Sequence, residues 1–114
     1  MLYYIRKRIF AVRRLRNIWL LKGQVMENNE ILVTVGGSEA IDAFIRAVVS
    51  SGDEVIIPQP SYVCYEPITL LAGGTPVILN TKAENDFKVT PEELKNAITP
   101  KTTLLILPYP CNPT

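Results

Sequence analysis

Two glycines, a serine and a glutamate, Gly36 to Glu39, stand between a β-branched run and a helical pattern. The run from Ile31 to Val35 predicts a short strand, and Ser38 is the predicted N-cap of the following helix. Glycines let backbone amides approach an anion, and a helix start adds N–H groups without intrahelical acceptors. The pattern indicates a phosphate site, although two glycines can equally form an ordinary strand-to-helix turn. It matches neither GxGxxG nor the P-loop pattern, so a dinucleotide or nucleoside triphosphate is disfavoured.

Two tyrosines three residues apart, Tyr62 and Tyr65, follow a second predicted strand that runs from Glu54 to Ile57 and is closed by Pro58. Open α/β sheets bind ligands beyond the carboxyl ends of their strands, where an aromatic ring could stack on a flat cofactor. The alternative is that both rings belong to a helical packing stripe. The spacing alone leaves both interpretations open.

A third candidate is Asn112, which stands with Pro113 and Thr114 after an apolar run from Thr102 to Leu107. That run predicts a strand covered on both faces, as in a parallel sheet with helices on each side. The asparagine could bind a ligand there, and an ordinary Asn-Pro turn would explain the same residues.

Apolar runs alternate with helical patterns along the chain, and the predicted order is βαβαβαβ. We therefore expect the α/β class, as a three-layer αβα sandwich with a mostly parallel sheet. Thr90, Pro91 and Glu93 form a predicted capping box at the start of the last helix. The other predicted elements are a helix from Ser38 to about Ser51 stopped by Gly52, a helix within Tyr62 to Ala72 stopped by Gly73 and Gly74, and a strand from Thr75 to Leu79.

The 114 residues suffice for one small domain, and their charges are unevenly distributed. Residues 1–26 carry seven basic side chains and no acidic one, whereas all eleven acids lie from Glu27 onward. We expect a basic segment over 1–26 and a domain over 27–114. The segment is interpreted as the product of a frameshifted or mispredicted gene start, or alternatively as a basic amphipathic helix that touches an anionic surface.

Several function classes are disfavoured by composition. The chain has no histidine and two distant cysteines, which excludes a Ser-His or Cys-His nucleophile and makes a zinc site of ordinary spacing unexpected. Charges interrupt the N-terminal residues, so no signal peptide or membrane span is predicted. We expect a cytoplasmic protein with reduced thiols, without a metal, a nucleic-acid partner or a membrane.

Taken together, the three candidate motifs in this order resemble the class I and II aminotransferases, which are pyridoxal-phosphate enzymes of fold type I. The resemblance extends from Ile31 to Thr114. It implies an incomplete large domain of the aspartate aminotransferase kind. The segments that carry it are Val35 to Ile41, Gly52 to Pro58, Pro60 to Tyr62 with Tyr65, Ala72 to Gly74, Phe87 to Glu93, and Asn112 to Thr114.

The resemblance implies a role for each candidate residue. Gly37, Ser38 and Glu39 would bind the phosphate of pyridoxal 5′-phosphate, mainly through backbone amides with help from the Ser38 hydroxyl. Tyr62 would stack on the pyridine ring. Asn112 would donate a hydrogen bond to the phenolic oxygen of the cofactor. Tyr65 matches the family pattern too, but packing explains it at least as well.

Catalysis in the family also needs three residues for which this sequence has no counterpart. Its Schiff-base lysine, the aspartate that holds the pyridine nitrogen protonated and the arginine for the substrate carboxylate lie beyond the Asn-Pro-Thr motif. We therefore expect a fragment with no catalytic residue of its own, inactive alone. The intact family moves an amino group from an amino acid to a 2-oxo acid, as a homodimer. The alternatives are a non-catalytic module that binds a phosphate cofactor and a protein-interaction remnant.

Overall fold

The computed structural model describes residues 32–108. The chain divides into two compact units, Met1–Ala40 and Ile41–Thr114, and each is described separately. The elements, in chain order, are α1 (Gly37–Val48), β1 (Glu54–Gln59), α2 (Tyr65–Leu71), β2 (Thr75–Asn80), a short 3-10 helix (Ala83–Asn85), α3 (Pro91–Ala97) and β3 (Thr102–Leu105).

In the first unit, residues 32–35 form no strand, so the prediction of a strand from Ile31 to Val35 is wrong for these residues. Side chains bind the local backbone instead. The Thr34 hydroxyl donates to the carbonyl oxygen of Gly36 at 2.9 Å, and the Glu39 carboxylate accepts the N–H of Val35. Such local bonds compete with strand pairing for the same backbone groups. The described residues therefore contain three strands rather than the predicted four.

In the second unit, β1 lies between β2 and β3, and both pairings are parallel. The register places Ile57 beside Ile78 in β2 and Val55 beside Leu104 in β3. Side chains that share a register share a face of the sheet, so one apolar face forms across all three strands. The predicted α/β class with a parallel sheet is confirmed.

The strand β1 extends past Pro58 to Gln59, although Pro58 was expected to close it. A proline cannot donate a ladder hydrogen bond, which normally excludes it from a central strand. Here the pairing of β1 with β3 ends at Ile56, whose carbonyl oxygen accepts the N–H of Ile106 at 3.0 Å. Pro58 therefore lies beyond the segment that pairs on that side.

The core of the second unit packs α1 and α2 against β1. Val55 and Ile57 of β1 are at most 1% exposed. They form one apolar cluster with Ile45 of α1, Val49 just after α1, and Ile68 of α2. The alternation along β1 turns these two side chains to one face. Apolar burial on this face is the main stabilising contribution in the unit.

Backbone geometry sets both ends of α2. Pro67 lies in the first turn of α2, where its missing N–H is not needed, so α2 begins at Tyr65 and not at Tyr62. The helix ends before Gly73, which has a φ of 84° and donates its N–H to the carbonyl oxygen of Leu70 at 2.9 Å. The predicted glycine stop is confirmed at Gly73, because glycine adopts this conformation without steric cost.

The capping box at the start of α3 is also confirmed. Thr90 Oγ1 accepts the N–H of Glu93 at 3.2 Å, and the Glu93 carboxylate accepts the N–H of Thr90 at 2.9 Å. The Thr90 hydroxyl also donates to that carboxylate at 2.8 Å. These bonds, with the backbone bond first, lower the pKa of Glu93 below its ordinary value of 4.5.

Substituting Thr90→Ala should lower the free energy of unfolding by about 1 kcal/mol at neutral pH, because the cap hydroxyl is lost. The pKa of Glu93 is lowered in the folded state, so the stability from its ionised form is present above its ordinary pKa and is lost as pH falls through the folded-state value. Urea titrations of both proteins at pH 7 and pH 3 should show the difference shrinking in acid. Thr90→Ser keeps the hydroxyl and should match the parent.

Substituting Gly74→Ala should destabilise the second unit by about 1–3 kcal/mol, because the new methyl group overpacks a buried contact. A Cβ at this glycine would lie 2.6 Å from Val49 Cγ1 and 3.2 Å from Thr69 Cγ2. Thermal unfolding followed by circular dichroism measures the effect. The matched control is Gly37→Ala, where nothing lies within 4 Å of the added carbon. Equal midpoints for the two variants would contradict this packing argument.

Candidate functional site

The glycine-rich segment forms the first turn of α1 in the first unit. The carbonyl oxygen of Gly36 accepts the N–H of Ala40 at 3.3 Å, which makes Gly36 the N-cap; the prediction that Ser38 has this role is wrong. Gly37, Ser38 and Glu39 are instead the first three residues of the helix. The first turn of a helix is the end at which the helix dipole favours a negative charge.

The space beside this turn suits an incoming anion. Gly36 and Gly37 have no atom within 4 Å of where a Cβ would stand, and Ser38 and Glu39 are exposed. Among the described residues, no neighbouring atom therefore crowds the backbone at these two glycines. The donor set of backbone amides with one hydroxyl is the kind that binds phosphate at helix starts.

Glu39 contributes differently from its neighbours. Its carboxylate accepts the N–H of Val35, so the side chain bends back along the chain that enters the helix. A carboxylate near the start of a helix is favourable for the helix dipole, but it repels a phosphate. The useful group of Glu39 for a phosphate is therefore its backbone amide, as the resemblance implies.

In the second unit, Tyr62 lies in the loop between β1 and α2 and is half-buried. Its ring meets that of Tyr65 in an edge-to-face contact, with ring centroids 5.8 Å apart and planes at 80°. Tyr65 is the first residue of α2 and packs against the core cluster. The helical stripe interpretation is therefore wrong for Tyr62, which stands outside the helix, while Tyr65 serves packing.

A cavity of about 350 Å³ opens at the carboxyl end of β1, where α/β folds place their ligands. Its walls come from the end of the strand, the loop that carries Tyr62 and the first turn of α2. The lining residues are Ile57, Gln59, Pro60, Ser61, Tyr62, Val63 and Glu66. A flat aromatic ligand beside Tyr62 would be in contact with apolar and polar groups together.

Sequence reasoning missed the polar residues that hold this loop. The carbonyl oxygen of Gln59 accepts both the N–H of Thr81 at 2.8 Å and the Thr81 hydroxyl at 2.7 Å. The Gln59 amide donates to the Glu66 carboxylate at 3.4 Å, across the loop. The signal that could have revealed Thr81 is its place just after the neighbouring parallel strand, since the carboxyl ends of parallel strands meet at one edge.

The third candidate, Asn112, lies outside the described residues. The strand before it, β3, ends at Leu105 rather than at the predicted Leu107. The joint binding of one cofactor by Gly37, Ser38, Glu39, Tyr62 and Asn112 therefore stays a prediction.

All lysines within residues 32–108 are exposed: Lys82, Lys88, Lys95 and Lys101. The ammonium group of Lys88 pairs with the Asp86 carboxylate at 3.0 Å, as expected of a solvated surface charge.

Within residues 32–108, no group of three or more His, Cys, Asp or Glu side chains is placed so that it could hold a metal ion. No helix in the described part of the chain has both the length and the apolar character needed to cross a membrane.

Comparison with known proteins identifies one family. The family model for aminotransferase class I and II matches residues 14–114, so the match begins within the basic N-terminal segment. A Bacillus subtilis protein named as a probable N-acetyl-LL-diaminopimelate aminotransferase is 50% identical over 86 residues, which cover 75% of this chain and 22% of the relative. The aspartate aminotransferase of Pyrococcus abyssi is 46% identical over 87 residues, covering 76% of this chain and 22% of the relative.

Solved structures agree with the sequence comparisons. The crystal structure of an aromatic aminotransferase from Pyrococcus horikoshii superposes with a TM-score of 0.83 at 36% identity, covering 90% of this chain and 28% of that one. The fold is thus that of the aspartate aminotransferase group, in agreement with the predicted fold class. The chain spans about a fifth of the length of the two relatives named above.

Proposed function

This chain belongs to the class I and II aminotransferases, and on that premise we propose that it supplies part of the site that binds pyridoxal 5′-phosphate. The observation that carries the proposal is that Gly37, Ser38 and Glu39 form the first turn of α1, where no described atom lies within 4 Å of a Cβ added at Gly37. When bound, the cofactor supplies an electron sink for carbanion chemistry at the substrate. The residues of this chain bind and orient it.

Each proposed contact has a distinct physical role. The amides of Gly37, Ser38 and Glu39, with the Ser38 hydroxyl, bind the phosphate through charge-assisted hydrogen bonds. Tyr62 stacks on the pyridine ring and fixes its plane. Asn112 donates to the phenolic oxygen, which favours the ionised form of that oxygen. Together these contacts fix both ends of the cofactor.

For the whole protein we propose the family reaction, transfer of an amino group from an amino acid to a 2-oxo acid in a cytoplasmic homodimer. Support comes from the two named relatives, each of which is an aminotransferase by name. Their names give different substrates at similar identity to this chain. We therefore propose the class of substrate and not one amino acid.

For the 114-residue polypeptide alone we propose cofactor binding without catalysis. Catalysis in this family needs a lysine that bonds covalently to the cofactor and moves the proton. The described lysines, which lie between Lys82 and Lys101, are exposed, and none matches the family position.

Substituting Ser38→Ala should weaken binding of pyridoxal 5′-phosphate to the full 114-residue chain by roughly tenfold, because one hydrogen bond to a charged group is lost. Isothermal titration of both proteins measures the change. Pyridoxal without its phosphate should bind both with equal, weaker affinity, because the contact in question is to the phosphate. Ser50→Ala, an exposed serine beyond the end of α1, is the matched control. Equal phosphate-dependent affinity for Ser38→Ala and its parent would refute the role of the Ser38 hydroxyl, and equal affinity of the parent for pyridoxal with and without its phosphate would refute the assignment of this turn.

Borohydride reduction of the chain with pyridoxal 5′-phosphate should leave no single lysine stoichiometrically labelled, as judged by peptide mass spectrometry. Exposed lysines react weakly and without selectivity, so the expected result is low, scattered labelling. The transamination assay should give no turnover above that of free cofactor. Stoichiometric labelling of one lysine together with turnover would contradict the proposal that the chain is not competent alone.

A further inference from the structure

We propose that Thr81 is a positioning residue for Tyr62, acting through the carbonyl group of Gln59. The inference rests on the proposed function, in which Tyr62 stacks on the cofactor. Thr81 follows the last residue of β2, and Gln59 is the last residue of β1. The two strand ends meet because Gln59 and Asn80 share a register.

Thr81 donates two hydrogen bonds to the carbonyl oxygen of Gln59. The backbone N–H of Thr81 continues the ladder of hydrogen bonds between β1 and β2, and its hydroxyl adds a second bond to the same carbonyl oxygen at 2.7 Å. A carbonyl oxygen has two lone pairs, and both are used here. The hydroxyl bond is half-buried, so water competes with it less than on an open surface. The orientation of the last peptide group of β1 is thereby fixed.

From this peptide group the chain enters the loop that carries Tyr62. The far end of the loop is held as well, because the Gln59 side chain donates to Glu66 in the first turn of α2 and the N–H of Tyr65 donates to the carbonyl oxygen of Tyr62 at 3.3 Å. Gln59 thus joins the strand end, β2 and the start of α2. If its carbonyl group rotates, the loop between its two anchors must shift, and the ring of Tyr62 shifts with it.

The role differs from general stabilisation of the sheet. Substituting Thr81→Val removes the hydroxyl bond and keeps the backbone bond, the β-branched shape and the strand pairing. The expected consequence is a local change at the Tyr62 loop, with the sheet intact. Thr81→Ser keeps the hydroxyl and should restore the parent behaviour.

The test places a single tryptophan reporter in the loop of the 114-residue chain, through Tyr62→Trp combined with Trp19→Phe. Acrylamide quenching then measures how accessible the ring at this position is, without any cofactor. We expect Thr81→Val to raise the quenching constant by roughly twofold, and Thr81→Ser to leave it unchanged. Thr103→Val is the matched control, because its hydroxyl makes only a 3.4 Å contact with Lys101 on an exposed face. Equal quenching for Thr81→Val and its parent would overturn the inference.

Two further measurements separate the possible outcomes. Circular dichroism establishes that the variants are folded at the measuring temperature, and Thr81→Ala, which also lacks the hydroxyl, provides a second reading should Thr81→Val unfold. A titration with pyridoxal 5′-phosphate, using chains that retain Tyr62, should show roughly fivefold weaker binding for Thr81→Val. If the parent binds no cofactor, the proposed function fails for this chain, and the quenching result still decides the role of Thr81.

Discussion

The second unit is organised around β1, because this strand lies at the centre of the sheet and both other strands pair with it. Val55, Ile56 and Ile57 are at most 1% exposed, and the strand pairs with β2 on one side and β3 on the other. The two ends of β1 have different functions. At its start the Glu54 carboxylate accepts the hydroxyl of Thr99 at 2.5 Å, which holds the turn before β3. At its carboxyl end the chain leaves the sheet through Gln59, toward the loop with Tyr62.

Local patterns predicted most of the second unit because each pattern had a single strong physical cause. Thr90, Pro91 and Glu93 predicted the start of α3, and the observed capping box uses the same groups. Gly73 predicted the end of α2, because few other residues tolerate a φ of 84°. The apolar runs predicted the parallel strands, whose ends differ from expectation by two residues or fewer. In these cases local preference and tertiary packing agree.

The features that could not be predicted depend on which hydrogen-bond partner a backbone group finds in the folded chain. The apolar run up to Val35 favours a strand, but the Glu39 carboxylate takes the N–H of Val35 and the helix begins earlier than Ser38 suggested. Pro58 was expected to end β1. The strand continues to Gln59 because the pairing of β1 with β3 ends at Ile56, before the proline. Phe87, with a φ of 53°, is another case, because nothing in its residue type favours a left-handed conformation. The candidate site depended on resemblance more than the fold did, since no spacing rule links Ser38 with Tyr62.

The start of α1 in the first unit and the carboxyl end of β1 in the second unit offer different kinds of contact to a ligand. At the start of α1 the ligands are backbone amides, which recognise a phosphate whatever molecule carries it. At the carboxyl end of β1 the cavity offers an aromatic ring and an apolar wall, which favour a flat ring of suitable size. The guanidinium of Arg46, in the last turn of α1, pairs with the Asp42 carboxylate of the same helix at 2.9 Å. The two elements therefore differ in the part of a ligand that each could recognise, a charged group at the start of α1 and a flat ring at the end of β1.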